Sequence, residues 1–193
     1  MELRRFPIAF ALLAPFAVGG CAATAVQQPA PSPTGPANHI SLFVGNRSMH
    51  DDDWDPVDDQ TVFGIGYDTK LTNLPFEFEA AVARSKDESG SVEGITRELS
   101  AGIRKTFDVG DTKFHPYVGG GLGLIRAEVE TSGPDDDDTS LGLYLHGGIG
   151  YDLSENWQVG LDLRFLFGSD IDLLGNSMDA DYTQFAVYVA YAF

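Results

Sequence analysis

Six charged side chains alternate with apolar ones: Glu77 and Glu79 in "PFEFEAAVA", Glu98 and Arg104 in "TRELSAGIRKTF", Asp162 and Arg164 in "WQVGLDLRFLF". Each shares its parity with Gly, Ala, Ser or Gln, while the other parity carries Phe, Val, Leu and Ile. Alternation of period two marks a strand with two unlike faces. Carboxylates and guanidiniums on such a face can pair into an internal ion network, line a narrow gated pore, or support acid–base chemistry. Buried charges persist only when paired or hydrated, so a structural network is the first expectation. Antiparallel strand direction places Arg104 at the depth of Glu77 and Glu79, and sets Arg164 and Glu98 facing each other. His146, in "LGLYLHGGIGYDL", falls on the same polar parity. Nucleophilic catalysis needs a nucleophile, a base and an orienting acid within hydrogen-bond reach. No serine is spaced to His146 by a motif, so His146 reads as a structural hydrogen-bonding group and no enzyme is expected.

Aspartates form the second group with chemical potential. "DDDWDPVDD" carries Asp51, Asp52, Asp53, Asp55, Asp58 and Asp59, "DDDD" is Asp135, Asp136, Asp137 and Asp138, and a later stretch adds Asp170, Asp172, Asp179 and Asp181. A calcium loop of the EF-hand type needs alternating oxygen ligands, a glycine and a bidentate glutamate, and neither run has that spacing. These runs read as solvated loops extended by self-repulsion. Asp51, Asp52, Asp53, Asp135, Asp136, Asp137 and Asp138 are candidates for weak divalent-cation binding, bridging to lipid phosphates; no cofactor is expected.

The elements that must carry these groups are strands. Eight segments alternate strictly, among them "HISLFVG", "TVFGIGY" and the final "DYTQFAVYVAYAF", and none shows a helical period of 3.6. The apolar face is continuous from segment to segment. The opposite face holds Gly, Ala, Tyr and scattered charges instead of the Lys, Thr and Glu of a solvated sheet. Small residues on the polar side suit the cramped inside of a closed barrel, and apolar-out, polar-in segments of ~10 residues suit a barrel in lipid. A lipocalin-like soluble barrel, with its apolar face inward, is the competing architecture. Links after the second, fourth and sixth segments are short ("KLTNL", "DVGDTK", "DLSEN"), whereas the other links are long and acidic. That asymmetry matches periplasmic turns and extracellular loops. Tyr67, Phe76, Tyr151, Trp157 and Phe193 fall near the short-turn ends, as an interfacial aromatic belt would.

Composition narrows the partners. In 193 residues there are 29 Asp and Glu against 12 Lys and Arg, a net charge of -17, with one cysteine. No basic patch is available to neutralise phosphates along a nucleic acid, and a single cysteine excludes an internal disulfide. "MELRRFPIAFALLAPFAVGGC" has a basic start, an apolar run and small residues, the pattern of a secretory signal. "VGGC" resembles a lipobox and makes Cys21 the lipidated residue after a 1–20 signal; "ATA" allows cleavage before Val26 instead. Residues 21–38, rich in Pro and Ala, read as a periplasmic tether. The folded region is expected to span 39–193.

Residues 39–193 resemble the small eight-stranded outer-membrane barrels of Gram-negative bacteria (the OmpA/OmpX/opacity-type superfamily). The resemblance rests on the eight alternating segments, the glycine-rich "PYVGGGLGL" and the last strand, with its aromatic and aliphatic residues alternating back from Phe193. It implies an all-β, single eight-stranded antiparallel up-and-down transmembrane barrel in the outer membrane. It also implies Phe193 as a signal to the outer-membrane assembly machinery, contact with lipid and lipopolysaccharide, and a monomeric state. The expected role is envelope-structural or surface-interacting through the acidic loops, the alternative being a small gated channel for ions or an apolar solute. We predict that Phe193→Asp lowers outer-membrane yield well below that of a substitution at Ala192; equal yields would remove the assembly-signal reading.

Overall fold

The structure, a computed structural model, describes residues 38–50, 54–71, 74–90, 92–130, 136–173 and 176–193, and at 129, 130, 136, 173 and 176 the backbone alone. Cys21, both cleavage sites, the tether up to residue 37, and Asp51, Asp52, Asp53 and Asp135 lie outside the described residues.

The strands are β1 (Asn38–Met49), β2 (Asp59–Lys70), β3 (Glu77–Ser89), β4 (Val92–Thr106), β5 (Phe114–Glu130), β6 (Asp136–Asp152), β7 (Trp157–Phe167), β8 (Asp170–Leu173), β9 (Asn176–Asp179) and β10 (Tyr182–Ala192). Eight of them pair antiparallel, each with its neighbour in the chain, and β10 closes on β1 through a register running from His39↔Ala192 to Met49↔Tyr182. Closure removes both sheet edges, so every rung of the ladder is satisfied within the wall, the condition for crossing hydrocarbon.

The parity read from the sequence is the parity of the wall. Leu42, Phe63, Val82, Leu99, Leu122, Leu143, Leu161 and Val187 are exposed on the outside. Glu98, His146 and Arg164 are buried inside. That pattern rules out the lipocalin-like arrangement, in which the apolar parity would face inward. The aromatic belt takes shape at the short-turn end. Trp157 packs edge-on against Tyr191 at 5.0 Å between ring centres, Phe114 lies 5.0 Å from Tyr151, and Phe76 sits 5.7 Å from Phe78.

Three of the long links are shorter than the alternating segments imply, because the strands run on past the apolar band; β1 extends to Met49 and β2 begins at Asp59. β3 ends at Ser89, Gly90 takes a positive φ of 63° and β4 begins at Val92, so the link "RSKDESGSVEG" between the third and fourth alternating segments is largely a hairpin. β5 and β6 are each 17 residues long, against the ~9–11 that a tilted strand needs to cross a bilayer. Asp136, Asp137 and Asp138 therefore belong to strand β6 and not to a solvated loop. Outside lipid the hydrogen-bonded ladder can propagate without an apolar face, so hydrophobic alternation carries no record of it.

The last long link is also structured. It contains the β8–β9 hairpin, which closes over an apolar cluster of Met49, Trp54, Val57, Ile125, Tyr144, Leu166, Ile171, Met178 and Tyr182. The protein's one apolar cluster among the described residues thus sits at the long-link mouth of the barrel. We predict that Leu161→Arg, mid-strand on the outer face, lowers stability in lipid bilayers by roughly 2–4 kcal/mol, as read by denaturant unfolding. An unchanged midpoint would invert the assigned faces.

Candidate functional site

The polar side chains on the inner face assemble into three connected tiers. At the short-turn end, Arg104 lies 2.7 Å from Asp68 and 3.0 Å from Glu77, and His39 approaches Asp68 at 2.7 Å. The register sets Glu77 directly opposite Arg104, as strand direction required. At mid-height, His146 stands between two carboxylates, with Nδ1 2.8 Å from Asp162 and Nε2 2.9 Å from Glu79. The Tyr117 hydroxyl donates to Asp162 at 2.8 Å and the Tyr144 hydroxyl to Glu79 at 2.7 Å. Both carboxylates are therefore held from two sides.

Several of the large inward rings fit because they lie opposite glycine. A Cβ on Gly148 would lie 2.4 Å from the Tyr117 hydroxyl, and one on Gly119 would lie 2.4 Å from His146 Nε2. The glycine-rich stretch "PYVGGGLGL" is thus the space into which the facing side chains fit.

The upper tier is centred on Glu98, 4% exposed. Its two oxygens accept from Arg47 at 2.8 Å, Arg164 at 3.0 Å and the Tyr182 hydroxyl at 2.5 Å. Arg47, fully buried, also donates to Gln184 and Thr96, and its guanidinium lies 3.8 Å above the Tyr182 ring. Arg164 donates to Ser100 at 3.1 Å and lies 4.4 Å above the Tyr144 ring. Thr96, Ser85 and Gln60 carry the chain of hydrogen bonds around to β2. Seated in this way, the one carboxylate is shared by two arginines and a tyrosine hydroxyl, the pairing that burial of charge demands.

Above the Glu98 tier the apolar cluster completes the closure. Trp54, 1% exposed, donates its indole N–H to the Asp179 carbonyl at 2.9 Å, tying the first long link to β9. Asp181 accepts from the Gly168 and Ser169 backbones and from the Ser169 hydroxyl, which pins the base of the hairpin segment. Asp138 accepts backbone N–H groups of Asp172 and Thr139 at 2.7 Å each, and these two bonds hold its carboxyl below the usual range. Asp137 lies 2.9 Å from Arg126. Asp138 and Asp181 thus serve as backbone-binding carboxylates. Among the described residues no three His, Cys, Asp or Glu side chains come together as a metal site. Below the Glu98 tier remains a cavity of about 80 Å³ reaching from His39 and Asp68 up to Ser100 and Arg164, roomy enough for a few waters.

All six charges singled out from the sequence reach the interior: Glu77 with Arg104, Glu79 and Asp162 with His146, Glu98 with Arg164. Sequence reasoning missed Arg47 and Asp68. Arg47 lies just past the segment "HISLFVG", yet it continues the inward parity of Ser41, Phe43 and Gly45. Asp68 continues that of Val62, Gly64 and Gly66. Extending the alternation by one step on each strand would have found both.

Residues 8–193 match the family of the outer membrane protein beta-barrel domain. The chain belongs to that family. Its fold is similar to that of Neisserial surface protein A (TM-score 0.67, 18% identity, 81% of this chain and 97% of that one). It is also similar to Ail, the attachment invasion locus protein of Yersinia pestis (TM-score 0.59, 15% identity, 82% and 99%). A third similar structure is the N-terminal barrel of Pseudomonas aeruginosa OprF (TM-score 0.55, 14% identity, 82% and 99%). No curated protein sequence matches the chain. The protein is an eight-stranded barrel of the Gram-negative outer membrane.

We predict that Glu98→Ala destabilises the barrel by about 3–5 kcal/mol, the cost of leaving a buried partner charge uncompensated. Replacing the exposed Glu88 should change stability by less than about 1 kcal/mol. Urea unfolding of the refolded variants in lipid vesicles reads both, and equal effects would show that the Glu98 tier carries no special share of stability.

Proposed function

We propose that the protein is a sealed, non-conducting envelope barrel that carries a folded acidic cap on the cell surface for interaction with other molecules. The observation that supports this most directly is the double closure of the mouth: the Arg47–Glu98–Arg164 tier, and above it the cluster built around Trp54. An eight-stranded barrel has an interior just wide enough for its own side chains, and here they bond to one another across it. The cap consists of strand extensions and the β8–β9 hairpin, elements that hold a fixed shape. Around it Asp55, Asp170, Asp172 and Asp179 are exposed, a field that favours a cationic surface.

A catalytic role fits the geometry poorly. His146 is enclosed between Asp162 at 2.8 Å and Glu79 at 2.9 Å, and among the described residues no serine, threonine or cysteine side chain is hydrogen-bonded to its ring to act as a nucleophile. A gated pore would need the Glu98 tier to break, and each of its members is buried with several partners.

The test is electrical. Refolded protein in planar bilayers is predicted to show no steady unitary conductance, while a variant combining Glu98→Ala with Arg47→Ala should show brief openings. Steady channels in the unaltered protein would replace this reading with that of a small pore.

A further inference from the structure

The outer wall carries a charge arrangement that the lumen does not explain. Arg84 on β3 is paired in register with Arg97 on β4, and Arg97 with Arg126 on β5. All three are exposed on the lipid-facing parity. On each strand the arginine is the first outward residue past the apolar run on the long-link side, following Val82, Leu99 and Leu124. Neighbouring strands are ~4.8 Å apart, so the three backbone positions span about 10 Å. Like charges directly opposite one another weaken a sheet, and here two such pairs are adjacent in a chain of net charge -17.

Local acids compensate only in part. Glu128 contacts Arg97 and lies 3.3 Å from Arg126, and Asp137 lies 2.9 Å from Arg126. Among the described residues Arg84 has no carboxylate partner. Directly below the arginines, a groove of about 600 Å³ runs between Phe63, Ile65, Val82, Leu99 and Leu124. A ligand meeting both features is anionic at one end and apolar at the other, with its charge at the level where hydrocarbon gives way to headgroups. Arginine pairs with phosphate through two parallel N–H···O bonds.

We propose that Arg84, Arg97 and Arg126 bind the phosphorylated headgroup of a multiply acylated outer-leaflet lipid, lipopolysaccharide, with acyl chain seated in the groove beneath. The site lies on the outside of the wall, so it goes beyond the reading of a sealed lumen and its test is independent of conductance.

Native mass spectrometry of the full, refolded protein from neutral detergent measures bound lipid directly. Phosphorylated lipid A should bind at least about tenfold more tightly than its dephosphorylated form, the worth of one charge-assisted hydrogen bond. Arg84→Gln combined with Arg97→Gln and Arg126→Gln should abolish that preference. Arg84→Lys alone should retain a substantial part, and Thr183→Gln, at the band edge on β10, should leave it unchanged. Heat-modifiable gel mobility confirms folding. The triple variant also loses the contacts of Arg97 and Arg126 with Glu128 and Asp137, so the readout is lipid binding and not thermal stability. Equal binding of both lipid A forms, a preference that survives in the triple variant, or full displacement by inorganic phosphate at matched concentration would each overturn the proposal.

Discussion

Closure of β10 onto β1 is the constraint on which the rest depends. Hydrocarbon offers no hydrogen bonds, so a sheet in it must leave no free edge. With eight strands the closed wall encloses a space only one side chain deep from each direction. Any charged residue turned inward is therefore forced against another strand's inward residues, with little water to screen it. Small size turns a set of scattered charges into a network.

The network then ties distant strands together. Glu98 is shared by side chains from β1, β7 and β10, so one carboxylate couples the closing seam to the far wall. Replacing such a centre is costly for the same reason that buried ion pairs are: the partner charges remain behind. The lower tiers around Asp68, Glu79 and Asp162 are arranged alike, with tyrosine hydroxyls and histidine rings filling the gaps that glycine leaves.

Beyond the apolar band the strands obey other rules. The ladder extends into water, the β8–β9 hairpin folds inward, and the apolar residues of the links gather over the mouth. Acidic residues that look like a solvated, self-repelling loop are partly committed there: Asp138 and Asp181 bind backbone N–H groups, and Asp137 meets Arg126. The outer wall just below carries the arginine rung, so basic groups line the edge of the apolar band while acids rim the cap above.

The sequence by itself determined the parity of the wall, the eight spanning strands and the side with short turns, because lipid rewards an apolar outward face at every second residue and penalises every exception. It also placed Glu77, Glu79, Glu98, Arg104, Asp162 and Arg164 inside, since parity alone decides that. Only the tertiary structure decided which of them meet and what closes the mouth. Arg47 reaches Gln184 across 137 residues, and Trp54 reaches Asp179 across 125; such partners are set by the closing register and by the folding of the links. Period-two alternation reports the environment of one strand at a time. It carries no information about the strand on the other side of the barrel, nor about the ladder once lipid no longer imposes an apolar face.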